Sequence, residues 1–100
     1  MQEEVSILIS KALESLKNNK IGKAKNIIKK ALILNNSNFE ALNLMGTIMG
    51  IQNYHSEAKT FFEKSVKLNP KNIFANFNLA RTLFALNEDH EAIIYFKKEI

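Results

Sequence analysis

Ala24, Ala58 and Ala92 stand 34 residues apart, and the rest of the chain keeps step with them. Shifted by the same interval, Asn19, Asn53 and Asn87 coincide, as do Ala12, Gly46 and Ala80, and Lys30, Lys64 and Lys98. Ile28, Phe62 and Phe96 form a matching bulky row. Small residues at one phase and bulky ones at another mean one structural unit built three times. Self-similarity at this period marks a helical repeat array. Each unit buries its apolar face against its neighbours, so a 100-residue chain can be stable without a single globular core. Three units are about the minimum for independent folding, and the whole chain, 1–100, is expected to be one domain.

Within each unit the apolar spacing predicts two helices. The first starts near Glu3, where Glu3 and Glu4 favour the positive end of the helix dipole. Its inward face is expected to be Ile7, Leu8, Ala12, Ser15 and Leu16. Asn18-Asn19 should stop it, since asparagine tolerates the left-handed conformation that ends helices. A second helix, Ile21 to Leu34, presents Ala24, Ile27, Ile28, Ala31 and Leu34 on one side, and Asn35-Asn36-Ser37-Asn38 supplies turn and N-cap chemistry. Further helices are expected near Asn38 to Ile51, His55 to Leu68, Asn72 to Leu86 and Asp89 to Ile100, with Asn69-Pro70 ending the fourth. The third unit breaks off inside its last helix. The expectation is a fragment of a longer protein, or an end face that pairs with another chain.

Composition excludes several classes of function. There is no cysteine, so disulfides, thiol catalysis and thiolate zinc sites are ruled out. The N-terminal apolar run Val5 to Ile9 is too short for a signal peptide and follows acids, and no stretch is long enough to span a membrane. A cytoplasmic protein is expected. Asn35-Asn36-Ser37 matches a glycosylation acceptor, which carries little weight without a secretory signal.

The remaining chemistry-bearing residues have structural explanations. Gly46 and Gly50 have the spacing of close helix contact, and Gly46 is expected where two helix backbones approach. His55 and His90 lack companions at ligand spacing, so no metal site or other cofactor is expected. Glu88, Asp89 and Glu91 are explained by helix N-terminal electrostatics, not acid–base catalysis. Lysines 17, 20, 23, 25, 29 and 30 fall at several angles around one helix without arginines or interleaved aromatics, which argues for a solvated face and against nucleic acid.

In period and in pattern the chain resembles the tetratricopeptide repeat family. Counting units from Val5, Phe39 and Ile73, the family's small positions 8, 20 and 27 hold Ala12, Ala24 and Ala31, then Gly46, Ala58 and Ser65, then Ala80 and Ala92, with Glu99 departing. Its large apolar positions hold Met45, Met49 and Phe62, then Leu79, Leu83 and Phe96. Pro70 occupies the usual proline position, whereas Lys11 and Asn36 make the first unit the most degenerate, and the usual aromatic at position 4 is replaced by Leu8, Leu42 and Asn76.

That resemblance implies an all-α, right-handed α-solenoid of about six helices in antiparallel hairpins, covering repeats 5–38, 39–72 and 73–100. It also implies a concave groove lined by the first helix of each repeat. The groove residues would be Ile9, Leu13 and Leu16, with Lys17; then Asn43, Thr47 and Ile51; then Phe74, Phe77, Asn78, Arg81 and Phe84. The implied function is non-catalytic binding of a peptide or partner helix, with no small-molecule substrate. The alternative is a substrate-recruiting arm of a larger glycosyl- or sulfo-transferase. The family's chaperone-tail clamp fails, because Ile9, Leu13, Leu44 and Asn78 stand where its lysine, asparagines and basic residue should be. Of the asparagine ladder found in sugar-transferase superhelices, only Asn78 is present, against Ser10 and Leu44. Self-association through the open C-terminal end is a further expectation.

Overall fold

The computed structural model describes residues 2–97, and among these the side chains of all but 89, 90, 96 and 97. The sequence expectations for Asp89, His90, Phe96, Lys98, Glu99 and Ile100 therefore fall outside the described side chains. Six α-helices follow one another: α1 (Gln2–Lys17), α2 (Ile21–Leu34), α3 (Phe39–Ile51), α4 (His55–Leu68), α5 (Ile73–Ala85) and α6 (Asp89–Lys97). Among the described residues no strand occurs. The helices pair as hairpins α1/α2, α3/α4 and α5/α6, with α2 seated on α3 and α4 on α5, as an α-solenoid requires.

The three turns within hairpins are built alike. Asn19, Asn53 and Asn87 adopt φ of 62°, 66° and 63°, the left-handed conformation expected of them. Around each, the next residue's N–H reaches back to the third-last residue of the helix: Lys20 to the Ser15 carbonyl at 2.8 Å, Tyr54 to Met49 at 2.8 Å, and Glu88 to Leu83 at 2.7 Å. The asparagine N–H donates to Leu16, Gly50 or Phe84, each at 3.0 Å. Orphan carbonyls at three helix ends are thereby satisfied. Between hairpins, asparagine does a different job. The side-chain oxygens of Asn38 and Asn72 accept from the Ala41 and Ala75 N–H groups at 2.9 and 2.8 Å, which caps α3 and α5.

The core runs along the stack. Ala24, Ala58 and Ala92 are each fully buried, the common surroundings that the repeat demands. Ile28, Ala31, Met45, Ile48, Phe62, Leu79 and Leu83 fill the space between hairpins. In α1 the expected phase is corrected. Val5, Ile9, Ala12 and Ser15 face inward, while Ile7 is half exposed. The helix carries apolar residues on two stripes, and only the Val5–Ile9–Ala12 stripe has neighbouring helices to meet. A second correction concerns Gly46. Its close neighbour is a side chain and not a helix backbone: a Cβ there would lie 2.7 to 2.9 Å from three carbons of the Phe62 ring. Glycine makes room for the phenyl group.

The degeneracy of the first repeat also has a physical cause. Lys11, which is exposed, occupies the phase of Met45, which is buried on α3 where α2 seats. No described helix covers the corresponding face of α1/α2, so bulky apolar side chains there would meet water.

Candidate interaction groove

The first helices of the hairpins, α1, α3 and α5, share one trough made of two joined depressions. The first, of about 390 Å³, is walled by Ile9 and Leu13 of α1, by Phe39, Glu40, Asn43, Leu44 and Thr47 of α3, and by Asn72 and Phe74 at the start of α5. The second, of about 320 Å³, lies between Thr47, Gly50 and Ile51 of α3 and Asn78, Arg81, Thr82 and Ala85 of α5, above Phe62 and His55 of α4. Thr47 belongs to both, so the depressions form a continuous path.

Polar groups in this trough are largely satisfied by the fold itself. The Thr47 hydroxyl donates to the Asn43 carbonyl at 3.0 Å, and the Thr82 hydroxyl to the Asn78 carbonyl at 2.8 Å. Asn78 Nδ2 donates across the trough to Asn43 Oδ1 at 3.4 Å, a long bond that ties α5 to α3. The Arg81 guanidinium sits 5.7 Å from the centre of the Phe77 ring, within cation–π range. What the surface presents is apolar: Leu13 is 52% exposed, Ile51 51%, Phe74 73%, Phe77 40% and Phe84 44%. Phe74, Phe77, Arg81 and Phe84 follow one another at helical spacings of three, four and three along α5, which makes them a single stripe.

Of the residues expected in the groove, Leu13, Asn43, Thr47, Ile51, Phe74, Asn78 and Arg81 line it, whereas Phe77 and Phe84 line neither depression and lie on the stripe of α5 that carries Phe74 and Arg81. Ile9 also lines the first depression, although it is only 8% exposed, whereas Leu16 lines neither depression and is half-buried against the core. Both lie on the stripe of α1 that turns toward α2 and α3. His55 and Phe62 belong to α4, and a register confined to first helices carries no signal for them. Among the described residues no group of three or more histidine, aspartate or glutamate side chains comes together. No described helix is long and apolar enough to cross a membrane.

A stack of helix hairpins whose first helices share an open trough is a helical-repeat scaffold. The sequence matches the tetratricopeptide repeat family over residues 39–72 and again over 61–94, together more than half of the chain, and the protein belongs to that family. No curated protein matches it in sequence. Solved structures superpose closely. A mutant O-GlcNAc transferase from Thermobaculum terrenum matches at TM-score 0.93 and 22% identity, over 98% of this chain and 19% of that one, so the present chain spans about a fifth of the enzyme. YrrB, described as a TPR protein with an unusual peptide-binding site, matches at TM-score 0.90 and 24% identity, over 98% of this chain and 50% of its own. The second TPR of Spaghetti (RPAP3), bound to the HSP90 peptide SRMEEVD, matches at TM-score 0.91 and 12% identity, over 96% and 89%. At these identities the likeness establishes the fold.

Proposed function

We propose that the protein is a non-catalytic interaction module that docks an extended peptide or a partner helix in the α1/α3/α5 groove. The observation that carries this is an open trough with exposed Leu13, Ile51 and Phe74 in its lining, and exposed Phe77 and Phe84 on the same stripe of α5 as Phe74. Exposed apolar patches of this kind mark interaction sites. Family membership supports it, as do relatives of the same fold described with peptides or a peptide-binding site. The partner is expected to offer apolar anchors and not an acidic carboxyl terminus. Where a clamp for such a tail would place its cation and amides, this chain has Ile9, Leu13, Leu44 and Asn78.

A second reading is that this segment recruits substrates for a larger enzyme. The superposition on part of an O-GlcNAc transferase favours it, and the Asn43–Asn78 bond supplies one rung of a polar contact to peptide backbone. Both readings use the same trough, and both assume a cytoplasmic setting. Exposed Ile93 and Ile94 make α6 the surface proposed for self-association.

The test is Phe77→Ser. Because buried aromatic anchors each carry about 2 kcal/mol or more of an interface, retention of partner peptides from a pull-down should fall sharply while the melting temperature stays nearly constant. Unfolding of the variant would identify Phe77 as a core residue and remove the proposed site.

A further inference from the structure

On the face of the α1/α2 hairpin turned away from α3 lies a depression of about 520 Å³, separate from the groove. Leu8 and Ile27 form its apolar floor, Lys11, Lys20, Lys23 and Lys30 surround them, and Glu14 is the acid in its wall. Leu8 and Ile27 are partly buried against the core, and the four lysines are exposed. Among the described residues none of these lysines forms an ion pair. Charge is concentrated on this hairpin. Residues 1–35 carry seven lysines and three glutamates, whereas residues 36–100 carry seven bases and seven acids, so the net charge of +4 belongs to the first hairpin alone.

The same stack shows what this shape receives. One interval further on, the counterparts of Leu8, Lys11 and Ser15 are Leu42, Met45 and Met49; two intervals on, they are Asn76, Leu79 and Leu83. All six are buried on helices that a preceding hairpin meets, α2 on α3 and α4 on α5, whereas in the first hairpin Ser15 is buried but Leu8 is only partly so and Lys11 is exposed. The depression on α1/α2 thus has the form of a seat for a helix. Its chemistry differs: a methionine thioether has become the Lys11 ammonium, and lysines ring what remains apolar. An uncharged apolar helix seated there would bury Lys11 without a counter-charge, which is strongly unfavourable.

We propose that this face docks an acidic amphipathic helix of a partner protein. Its apolar stripe would lie on Leu8 and Ile27, with its carboxylates paired to Lys11, Lys20, Lys23 and Lys30. Helix-in-groove recognition supplies the geometry, and the lysines supply orientation and a fast, salt-sensitive association. A nucleic acid fits the depression less well, since it contains neither guanidinium groups nor aromatic rings on which bases stack.

The experiment titrates a labelled helical peptide of about 15 residues, with leucines in one stripe flanked by glutamates, into the protein. Saturable binding is expected, weakening at least about tenfold from low to high salt, as screening of charge pairs requires. The K11E/K23E variant should lose at least about tenfold in affinity at an unchanged melting temperature, and Phe77→Ser should bind as the parent does, which separates this surface from the groove. If K11E/K23E melts early, K23Q/K30Q, altered only on exposed α2 surface, replaces it. Three results would overturn the proposal: no binding of the peptide, undiminished binding to the lysine variants, or equal binding of heparin or of a scrambled peptide with the same composition but no stripe.

Discussion

Lys59 Nζ lies 2.8 Å from Glu88 Oε2, across a separation of 29 residues. The same step joins Lys25 to Tyr54, where the ammonium stands 5.9 Å from the ring centre. In both cases a lysine on the second helix of one hairpin reaches the residue that follows the left-handed asparagine of the next turn. The contact is a product of stacking geometry, which one pair satisfies by charge and the other by cation–π attraction. Glu88, expected from sequence to serve the end of its own helix, serves the neighbouring hairpin.

The first prediction concerns that pin. Hydrogen bonding to Glu88 raises the pKa of Lys59 above its ordinary value of 10.5. A raised lysine pKa means that the stabilisation is complete below the unfolded value and is lost as pH climbs through the folded one. Lys59→Met should therefore cost a constant amount between neutral pH and about pH 9, and the gap to the parent should close above about 10.5. The pair is partly solvated, so the cost is about 0.5 kcal/mol. Thermal melts at several pH values check both the size and the alkaline convergence.

Gly46→Ala should destabilise the protein although alanine is the better helix former. The propensity gain is at most about 1 kcal/mol. Against it, the new methyl would meet one edge of the Phe62 ring at 2.7 to 2.9 Å, and that ring is only 3% exposed. Overpacking typically costs about 1 to 3 kcal/mol, so a net loss of about 1 kcal/mol is expected in urea denaturation. Phe62→Ala alone should cost about 3 to 5 kcal/mol. The double variant should be more stable than the sum of the two losses, because the ring that the methyl strikes is gone. Strict additivity would show that the clash is relieved elsewhere.

Asn53→Ala should cost about 1 kcal/mol or slightly more, since a Cβ without a compensating side-chain amide is poorly tolerated at φ 66°. Asn53→Gly should be neutral or nearly so. Equilibrium denaturation of the pair separates the backbone requirement from any contact of the asparagine itself. Equal losses in both variants would assign the cost to the side chain.

Much of this fold was legible in the sequence because a repeat reports the same constraint several times. Three alanines at one phase fix where helices approach, and three asparagines fix where the chain reverses; both sets are found in the expected state. The groove was legible where a helix has one apolar stripe to spare, as on α5. It was harder to read on α1, whose apolar residues occupy two stripes: Ile7, expected inward from periodicity, is half exposed, and Ile9, placed in the groove by the resemblance, is nearly buried in its lining. Gly46 shows a different limit. Its smallness was evident, but whether a backbone or a ring fills the space depends on Phe62, which enters from another helix.

Asn76 is 2% exposed and fills the phase that Leu8 and Leu42 occupy in the other hairpins. Its Nδ2 donates to the carbonyls of Pro70 and Asn72 at 2.8 and 2.9 Å, tying α5 to the turn before it, while Oδ1 is buried without a partner. Asn76→Asp keeps the shape and replaces the donor by an acceptor, so a carboxylate would face two carbonyl oxygens out of water. Burial without donors raises an aspartate's pKa. A protonated carboxyl keeps one donor for the two carbonyls, so its cost is small, and the penalty grows as pH rises from the unfolded value of about 3.9 through the folded one. The melting temperature of Asn76→Asp should thus lie close to the parent's near pH 4 and fall progressively below it toward neutrality. The loss there should be about 3 kcal/mol, from the unpaired buried charge and the lost hydrogen bonds. A constant gap across that pH range would mean that water reaches the side chain, and that the turn is not held by Asn76.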